Sequence, residues 1–236
     1  MKFELDADRV LDHLKSHGVE QLYHANTVRT SCTFLREGAL LSRGTLDERG
    51  LDQTDQYTDK DDIKYGLWYD IFLDTIDIHE ELNRRNQYGP VLFVFDVGIL
   101  SEEWLQPVWV TKENPANWNS SKSYSDRYYH SNELNKYDPV GSGCFGNHIV
   151  LRSVGGVLRL KPHLNRIILD DPDKVWPQSR SHSNPLGIFS MAIGALVNAS
   201  RASGNLITKD IGFKNRRCSS KYAGIEDEEL KKMFSP

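Results

Sequence analysis

The segment LYHANT places His24 where a strand passes into a helix. Residues 19–23 alternate as a strand does, and residues 29–36 read as a short helix closed by Gly38. Side chains at such a junction often hold ligands, because an exposed loop is anchored there on both sides. His24 is therefore a candidate ligand-binding residue, and a histidine that only caps the turn into the helix is the alternative.

The segment DIFLDTIDIH offers oxygen ligands and an imidazole close together, with Asp70, Asp74, Asp77 and His79. Such a set suits a metal-dependent nuclease. On a continuous strand, however, the first two aspartates face one side, while Asp77 and His79 face the other. They converge only if the strand breaks near Thr75, so solvated acids at a strand end are favoured over a metal site.

Two further segments have the composition of nucleic-acid-binding surfaces. The first is a basic loop near the C-terminal end, whose candidate phosphate contacts are Lys214, Arg216, Arg217 and Lys221. The second, residues 114–132, is polar and aromatic, which favours stacking on unpaired bases. A solvated loop explains the first segment nearly as well, and a lid packed on the protein's own surface explains the second.

No glycine motif for phosphate binding follows a predicted strand, and the short motifs of hydrolase and zinc sites are missing. No GxGxxG follows a predicted strand, and GxxxxGKS, GxxxxGKT, GxSxG and HExxH do not occur. A nucleotide bound by this chain must therefore be held by side chains in a shaped cleft.

The bulk composition is that of a globular protein. The 236 residues are 39% hydrophobic and 26% charged, which favours one large domain over a disordered or fibrous chain. The net charge of −4 argues against a protein that coats nucleic acid nonspecifically, but it does not exclude a local basic groove.

Cysteine usage and the apolar segments predict a cytoplasmic protein. Cys32, Cys144 and Cys218 form no Cys-x-x-Cys pair, so neither a zinc site nor a disulfide framework is favoured, and a reducing compartment fits best. The first residues carry acids and no apolar stretch, so no signal peptide is expected. Residues 185–196 are too short to span a bilayer, so no membrane partner is expected.

Strand patterns precede most helical patterns along the chain, which predicts an α+β fold with a mixed or antiparallel sheet. Strands are predicted at 19–23, 65–79, 90–100, 107–112, 148–153, 157–160 and 166–171. Helices are predicted at 6–17, at 29–36, from Asn184 and Pro185 onwards, and at the charged C-terminal end. The polar, acid-rich residues 47–64 are predicted to form a loop.

The pattern LYHANT, a short helix and then EGALLS resembles the opening of the ADP-ribosyltransferase superfamily, in particular the bacterial toxins that modify nucleic acids. The later segments WYDIFLD, PVLFVFD, HIVLRS and RIILDD are similar in order to that family's strands. The resemblance covers residues 20–171. It implies a mixed or antiparallel split β-sheet with flanking helices, in a single domain over 1–236 with a helical extension at 184–236.

The resemblance also implies NAD as co-substrate and transfer of ADP-ribose through an oxocarbenium-like cation, which the protein must position and stabilise. His24 matches the histidine that orients the NAD. Asn26 and Thr27 follow on the same turn and would hold the nucleotide. Ser42 and Arg43 match a serine-bearing turn, where the arginine would pair with a phosphate.

Two further elements of the family have less direct counterparts. An aromatic ring packs against the nicotinamide, and Tyr65 or Tyr69 is expected to supply it. Family members usually carry a glutamate at the start of a late strand, where it binds a ribose hydroxyl. The matching strand GNHIVLR has Asn147 or His148 there, and neither is an acid. Either the amide of Asn147 takes over that contact, or an acid comes from elsewhere, or the activity has been lost.

The sequence thus predicts an NAD-dependent ADP-ribosyltransferase toxin that modifies nucleic acid, within a bacterial toxin–antitoxin or phage-defence setting. RNA is favoured over DNA because stacking residues outnumber any groove-reading helix. An antitoxin or chaperone is the expected protein partner. The alternatives are a toxin ribonuclease that uses His24, Asp70 and His79 without NAD, and a catalytically inactive domain of the same fold that only binds.

Overall fold

The structure is a computed structural model that describes residues 2–81, 87–141, 146–172, 187–202, 211–214 and 216–236. The strands within these residues are β1 (Gln21–Asn26), β2 (Ala39–Leu41), β3 (Ile71–Asp74), β4 (Val91–Asp96), β5 (Trp109–Val110), β6 (His148–Leu151), β7 (Val157–Arg159), β8 (Leu164–Asp170) and β9 (Ile211–Lys214). The α-helices are α1 (Ala7–Ser16), α2 (Val28–Glu37), α3 (Arg43–Glu48), α4 (Asp59–Lys64), α5 (Ile78–Glu81), α6 (Tyr124–Arg127), α7 (Ile188–Ala202) and α8 (Asp227–Phe234).

A seven-stranded sheet in the order β5-β6-β3-β1-β4-β8-β9 forms the centre of the fold, and β2 pairs with β7 in a separate ribbon. Within the described strands, only β8 and β9 pair in parallel; the other pairings are antiparallel. The predicted α+β class, with a mostly antiparallel sheet and flanking helices, is therefore confirmed.

The sheet opens between β1 and β3. β1 pairs with β4 along its whole length, from Gln21 to Asn26. On its other edge, β1 meets β3 in register only where Tyr23 lies opposite Asp74. The residues of β1 beyond Tyr23 therefore diverge from β3, and a cleft opens between the two strands.

The two helices beside this cleft begin at side-chain caps that directly follow strands. The hydroxyl of Thr27 accepts a hydrogen bond from the backbone N–H of Thr30 at the start of α2, and Gly38 ends that helix with a left-handed φ of 66°. The hydroxyl of Ser42 caps α3 in the same way, with the N–H of Thr45 as donor. β1 and β2 thus deliver their last residues to the edge of the cleft.

One apolar core runs from Leu5 in the N-terminal segment to Phe234 in α8. Residues 91–95 of β4 are all buried, as expected for a central strand covered on both faces. α2 packs against α7 on one side of the sheet. Within the described ranges, no helix has the length and apolar character needed to cross a membrane.

The strand predicted at 65–79 is wrong over most of its length. Only Ile71–Asp74 is extended, because Tyr65 ends α4, Gly66 turns the chain with a φ of 69°, and Ile78–Glu81 is helical. The predicted loop at 47–64 contains the end of α3 and all of α4. The acids at the start of α4 favour a helix there through its macrodipole, which a composition-based prediction of a loop overlooked.

The remaining predicted boundaries shift by a few residues. β1 continues to Asn26 instead of ending at residue 23, so His24 lies inside the strand. α2 ends at the predicted Gly38. The predicted helix start at Asn184 and Pro185 lies outside the described residues, and α7 is described from Ile188 onwards.

A buried carboxylate ties the end of β8 to the C-terminal segment. Asp170 Oδ2 accepts hydrogen bonds from His79 Nδ1 at 2.6 Å and the Tyr222 hydroxyl at 2.7 Å. The Cys218 thiol donates to the same oxygen at 3.3 Å. The buried guanidinium of Arg216 lies 3.5 Å from Asp170 Oδ1 through its Nε. Because a buried charge is stable only when it is paired and hydrogen-bonded, these groups hold β8, α5 and the C-terminal segment in one arrangement.

Replacing this carboxylate should destabilise the fold. Asp170→Asn removes the negative charge beside buried Arg216, so the free energy of unfolding should fall by about 3 kcal/mol. Glu228→Gln, which alters an exposed ion pair with Lys231, is the matched control and should leave the unfolding midpoint unchanged. Urea unfolding followed by tryptophan fluorescence measures both variants. Equal midpoints for the two would contradict the role assigned to Asp170.

Candidate functional site

The cleft at the split in the sheet is the candidate site. Its walls come from β1, β3, the start of β6, the segment from β2 to α4, and residues 114–116. It contains about 800 Å³ of space between its walls, part of it open to solvent. The residues predicted to bind NAD or to take part in the transfer that line the cleft are His24, Asn26, Ser42, Arg43 and His148.

His24 lines the cleft, bridges the split with one ring nitrogen and has its other ring nitrogen buried without a partner among the described residues. Its Nδ1 donates a hydrogen bond of 2.9 Å to the backbone carbonyl of Phe72 in β3. Its Nε2 is buried and has no hydrogen-bond partner among the described residues. Burial lowers the pKa of His24, which the carbonyl of Phe72 and the charge of Asp74 raise in part. The ring is therefore neutral, with Nε2 as a hydrogen-bond acceptor.

Arg43, the first residue of α3, is fixed from one side by Asp59. Its Nε and Nη2 donate to the two carboxylate oxygens at 2.9 and 2.8 Å. Its Nη1 is buried and has no partner in the part of the chain that the structure describes. The guanidinium thus keeps one donor for a ligand, while its charge is already compensated.

Asn26 and Thr27, the two residues predicted to hold the nucleotide, differ in their placement. Asn26 is buried at the cleft wall, and its side-chain oxygen accepts from the N–H of Thr27 at 2.9 Å. Thr27 does not line the cleft; its hydroxyl donates to that of Thr54 at 2.8 Å and borders a second depression. That depression shares Gln56 and Tyr88 with the cleft, so the two adjoin.

Neither of the tyrosines predicted to face the nicotinamide lines the cleft. Tyr65 packs edge-on against Trp118, 5.7 Å between ring centroids, and donates to its carbonyl. Tyr69 is exposed and donates its hydroxyl to Glu48. Both assignments rested on a strand that does not form there. Phe72 and Tyr88 are aromatic residues that line the cleft, and the sequence interpretation missed both.

The position of Tyr88 follows from the glycine beside it. Gly89 has a φ of 138°, and a Cβ at this position would lie 2.3 Å from the backbone of Asn26 and Thr27. Only a glycine allows this close approach, which brings Tyr88 against the end of β1. In the sequence, the Gly-Pro step before the strand pattern of β4 was the available signal for a close backbone approach at Gly89. The backbone that Gly89 approaches, at Asn26 and Thr27, is distant in sequence.

At the start of β6, His148 faces the cleft and Asn147 does not. The side-chain amide of Asn147 donates to the carbonyl of Thr111 at 2.7 Å. The hydroxyl of Thr111 in turn accepts from the N–H of His148 at 2.8 Å. The prediction that Asn147 contacts the ribose hydroxyl is therefore corrected: its amide is engaged in anchoring β6 to the neighbouring segment.

The carboxylates at the cleft have different partners. Asp70 accepts from Arg152 Nε at 2.8 Å, and this guanidinium lies 4.9 Å from the ring of Trp109. Asp74 Oδ1 lies 2.7 Å from His148 Nδ1. Asp62 has no arginine partner of this kind, and burial raises its pKa to about 6. The sequence interpretation had considered Asp70 and Asp74 as metal ligands, and Asp70 also as a residue of the alternative ribonuclease.

The predicted basic loop is not one continuous exposed surface. Arg216 is buried against acidic side chains and cannot contact a phosphate backbone, which corrects its predicted role. Arg217 and Lys221 are exposed. The side chain of Lys214 lies outside the described residues.

The aromatic segment 114–132 packs largely on the protein itself. Trp118 and Tyr128 are buried with Trp109, Leu67 and Val150. This favours the lid interpretation for these two rings over a surface for single-stranded nucleic acid.

The predicted ribonuclease site of His24, Asp70 and His79 is also not assembled. His79 is fully buried beside Asp170 and does not line the cleft with His24 and Asp70. His79, Asp170 and Cys218 do lie within 4.8 Å of one another. However, burial and Asp170 raise the pKa of the Cys218 thiol. His79, Cys218 and Tyr222 donate hydrogen bonds to Asp170 Oδ2, so these side chains act as donors to a carboxylate and not as deprotonated metal ligands.

Comparisons with known proteins add no assignment, since no protein-family model matches the sequence and no curated protein matches it either.

The raised pKa of Asp62 predicts a pH dependence of stability. Its folded-state pKa of about 6 lies above the unfolded value of about 3.9, so the folded protein binds the extra proton between these values. This stabilisation is lost as the pH rises through about 6. Wild type should therefore lose stability relative to Asp62→Asn between about pH 4 and 7, as measured by urea unfolding. A difference between the two proteins that does not vary with pH would contradict the raised pKa.

Proposed function

We propose that the protein is an NAD-dependent ADP-ribosyltransferase whose substrate site is the cleft between β1 and β3. The observation that carries this proposal is the buried Nε2 of His24 at the cleft wall, which has no hydrogen-bond partner among the described residues. A buried acceptor is unfavourable until a donor reaches it. A ribose hydroxyl is such a donor, and the resemblance of LYHANT to the superfamily gives His24 this contact.

The other cleft residues supply groups suited to the rest of the dinucleotide. Arg43 has a buried donor, Nη1, for a phosphate oxygen, and Asp59 holds the guanidinium in place. Tyr88 supplies the aromatic face that Tyr65 and Tyr69 do not provide. Asn26 lines the wall beside His24.

Transfer of ADP-ribose requires positioning and charge stabilisation more than strong acid catalysis. The bond between the ribose C1′ and the nicotinamide nitrogen breaks, and its electron pair leaves with the now neutral nicotinamide. The sugar carries positive charge as the acceptor attacks C1′. A neutral His24 suits this step, because an imidazolium at the same place would repel the developing cation.

We propose nucleic acid, and RNA in particular, as the acceptor, within a cytoplasmic toxin–antitoxin or phage-defence system that includes a neutralising antitoxin or chaperone. The sequence resemblance supports this choice. Tyr57 supports it as well, since this residue is 57% exposed beside the depression that adjoins the cleft, and an exposed aromatic residue can stack on a base. Arg217 and Lys221, two candidate phosphate contacts of the predicted basic loop, are exposed.

Incubation with NAD tests the proposal directly. We expect mass spectrometry to find one added ADP-ribose on RNA, with release of nicotinamide. His24→Ala removes the positioning contact and should slow transfer about 100-fold. His17→Ala, which alters an exposed histidine on the turn after α1, is the matched control and should retain full activity. No modification of RNA, DNA or protein by the wild type, together with no saturable NAD binding in calorimetry, would overturn the proposal.

A ribonuclease that needs no NAD is the second candidate, in a form that differs from the sequence prediction. The cleft brings together two histidines, His24 and His148, with Asp74 beside the second. Two imidazoles can act as general base and general acid in RNA cleavage without a metal. Cleavage of RNA in NAD-free buffer containing a chelator would favour this candidate over transfer.

A further inference from the structure

We propose that Asp74 and His148 act as a carboxylate–imidazole base that accepts the proton of the acceptor nucleophile, at the strand where the superfamily carries its glutamate. This inference rests on the proposed function, since the proton belongs to the group that attacks the ribose. The base consists of two residues on two strands, Asp74 on β3 and His148 on β6, which act together.

The register of the sheet builds the pair. β3 and β6 are antiparallel, and Asp74 lies directly opposite His148. The side chains of such neighbours lie on the same face of the sheet. His148 Nδ1 is 2.7 Å from Asp74 Oδ1, and the two side chains are 11% and 16% exposed. Both residues line the cleft, with His24 on the adjacent strand.

The ring of His148 is held so that its second nitrogen is available. Thr111 fixes the start of β6 by accepting the N–H of His148, and Phe72 packs edge-on against the imidazole at 5.8 Å between ring centroids. Nδ1 lies beside the carboxylate without being aligned for a hydrogen bond with it. In the tautomer with the proton on Nδ1, Nε2 carries the lone pair. The structure shows no hydrogen bond to this Nε2 within the described residues, so it is open to a ligand in the cleft.

The other carboxylates at the cleft are less suited to the role. The charge of Asp70 is compensated by Arg152, which also donates to the carbonyl of Gly66. Asp62 has a pKa raised to about 6, so a fraction of it is protonated near neutral pH. Asp74 is the cleft-lining aspartate that contacts an imidazole, and a carboxylate beside an imidazole both orients the ring and stabilises the imidazolium that forms on proton transfer.

The charge of the pair fits the course of the reaction. In the role of base, an imidazole that has not yet accepted a proton and a carboxylate together carry one negative charge, which stabilises the cationic sugar as nicotinamide leaves. As an O–H or N–H group of the acceptor attacks C1′, its proton passes to His148 Nε2. The pair is then neutral overall, and the proton leaves to water after the product departs. One glutamate would undergo the same change of charge.

The test combines rate, binding and chemical rescue in the full-length protein. We expect His148→Ala to slow ADP-ribose transfer at least about 100-fold, the range for loss of a general base, while NAD affinity measured by calorimetry is retained. Added imidazole should restore part of the rate in this variant and none in His24→Ala. Asp74→Asn should slow transfer without response to imidazole, because the ring is present but has lost its carboxylate.

The matched control is a second histidine–carboxylate pair outside the cleft. His163 Nε2 lies 2.7 Å from Glu102, and His163→Gln should transfer ADP-ribose at the wild-type rate. Wild-type rates in both His148→Ala and Asp74→Asn would overturn the base assignment alone. So would a slow His148→Ala variant that binds NAD normally but does not respond to imidazole. A wild-type protein that neither binds NAD nor transfers ADP-ribose would overturn the proposed function, and the base assignment with it.

Discussion

A single hydrogen bond between His24 and the carbonyl of Phe72 joins the two parts of the sheet where they separate. Strand divergence leaves this carbonyl without a backbone donor from β1, and buried carbonyls in folded proteins are almost always satisfied. The imidazole supplies the donor across the gap. In doing so it fixes the tautomer of His24 and leaves Nε2 without a partner among the described residues. The split that creates the cleft and the group available within it therefore have the same origin.

The charges around the cleft are set by which partner each carboxylate meets. Arg152 neutralises Asp70, and the same guanidinium lies against the rings of Trp109 and Tyr128. This links the cleft wall to the packed aromatic segment that covers it. Asp62 has no such partner, and its burial raises its pKa. Burial raises the pKa of Asp70 as well, so these two acids of the cleft differ in their partners and not in the direction of their pKa shift.

The features that contacts between sequence neighbours determine were predicted from the sequence. The capped helix α2 and the position of His24 beside it follow from short-range rules, and both were found. Tyr65 and Tyr69 were misplaced because a period of two was applied to a segment that Gly66 turns away from the strand. Arg216 looked like a surface cation because its partner Asp170 is distant in sequence. The pairing of Asp74 with His148 depends on strand register across the sheet, which one sequence does not specify.

The buried network at Asp170 also bears on the candidate site. Tyr222 donates to Asp170 and packs edge-on against Phe234 at the end of α8, with ring centroids 5.2 Å apart. α8 contributes Glu229 and Lys232 to the wall of the depression that adjoins the cleft. The carboxylate at the end of β8 thus positions the turn before α8, and α8 positions the outer wall beside the site. Because a buried carboxylate with several donors tolerates little displacement, the C-terminal segment is held as part of the site's architecture and not as a loosely attached extension.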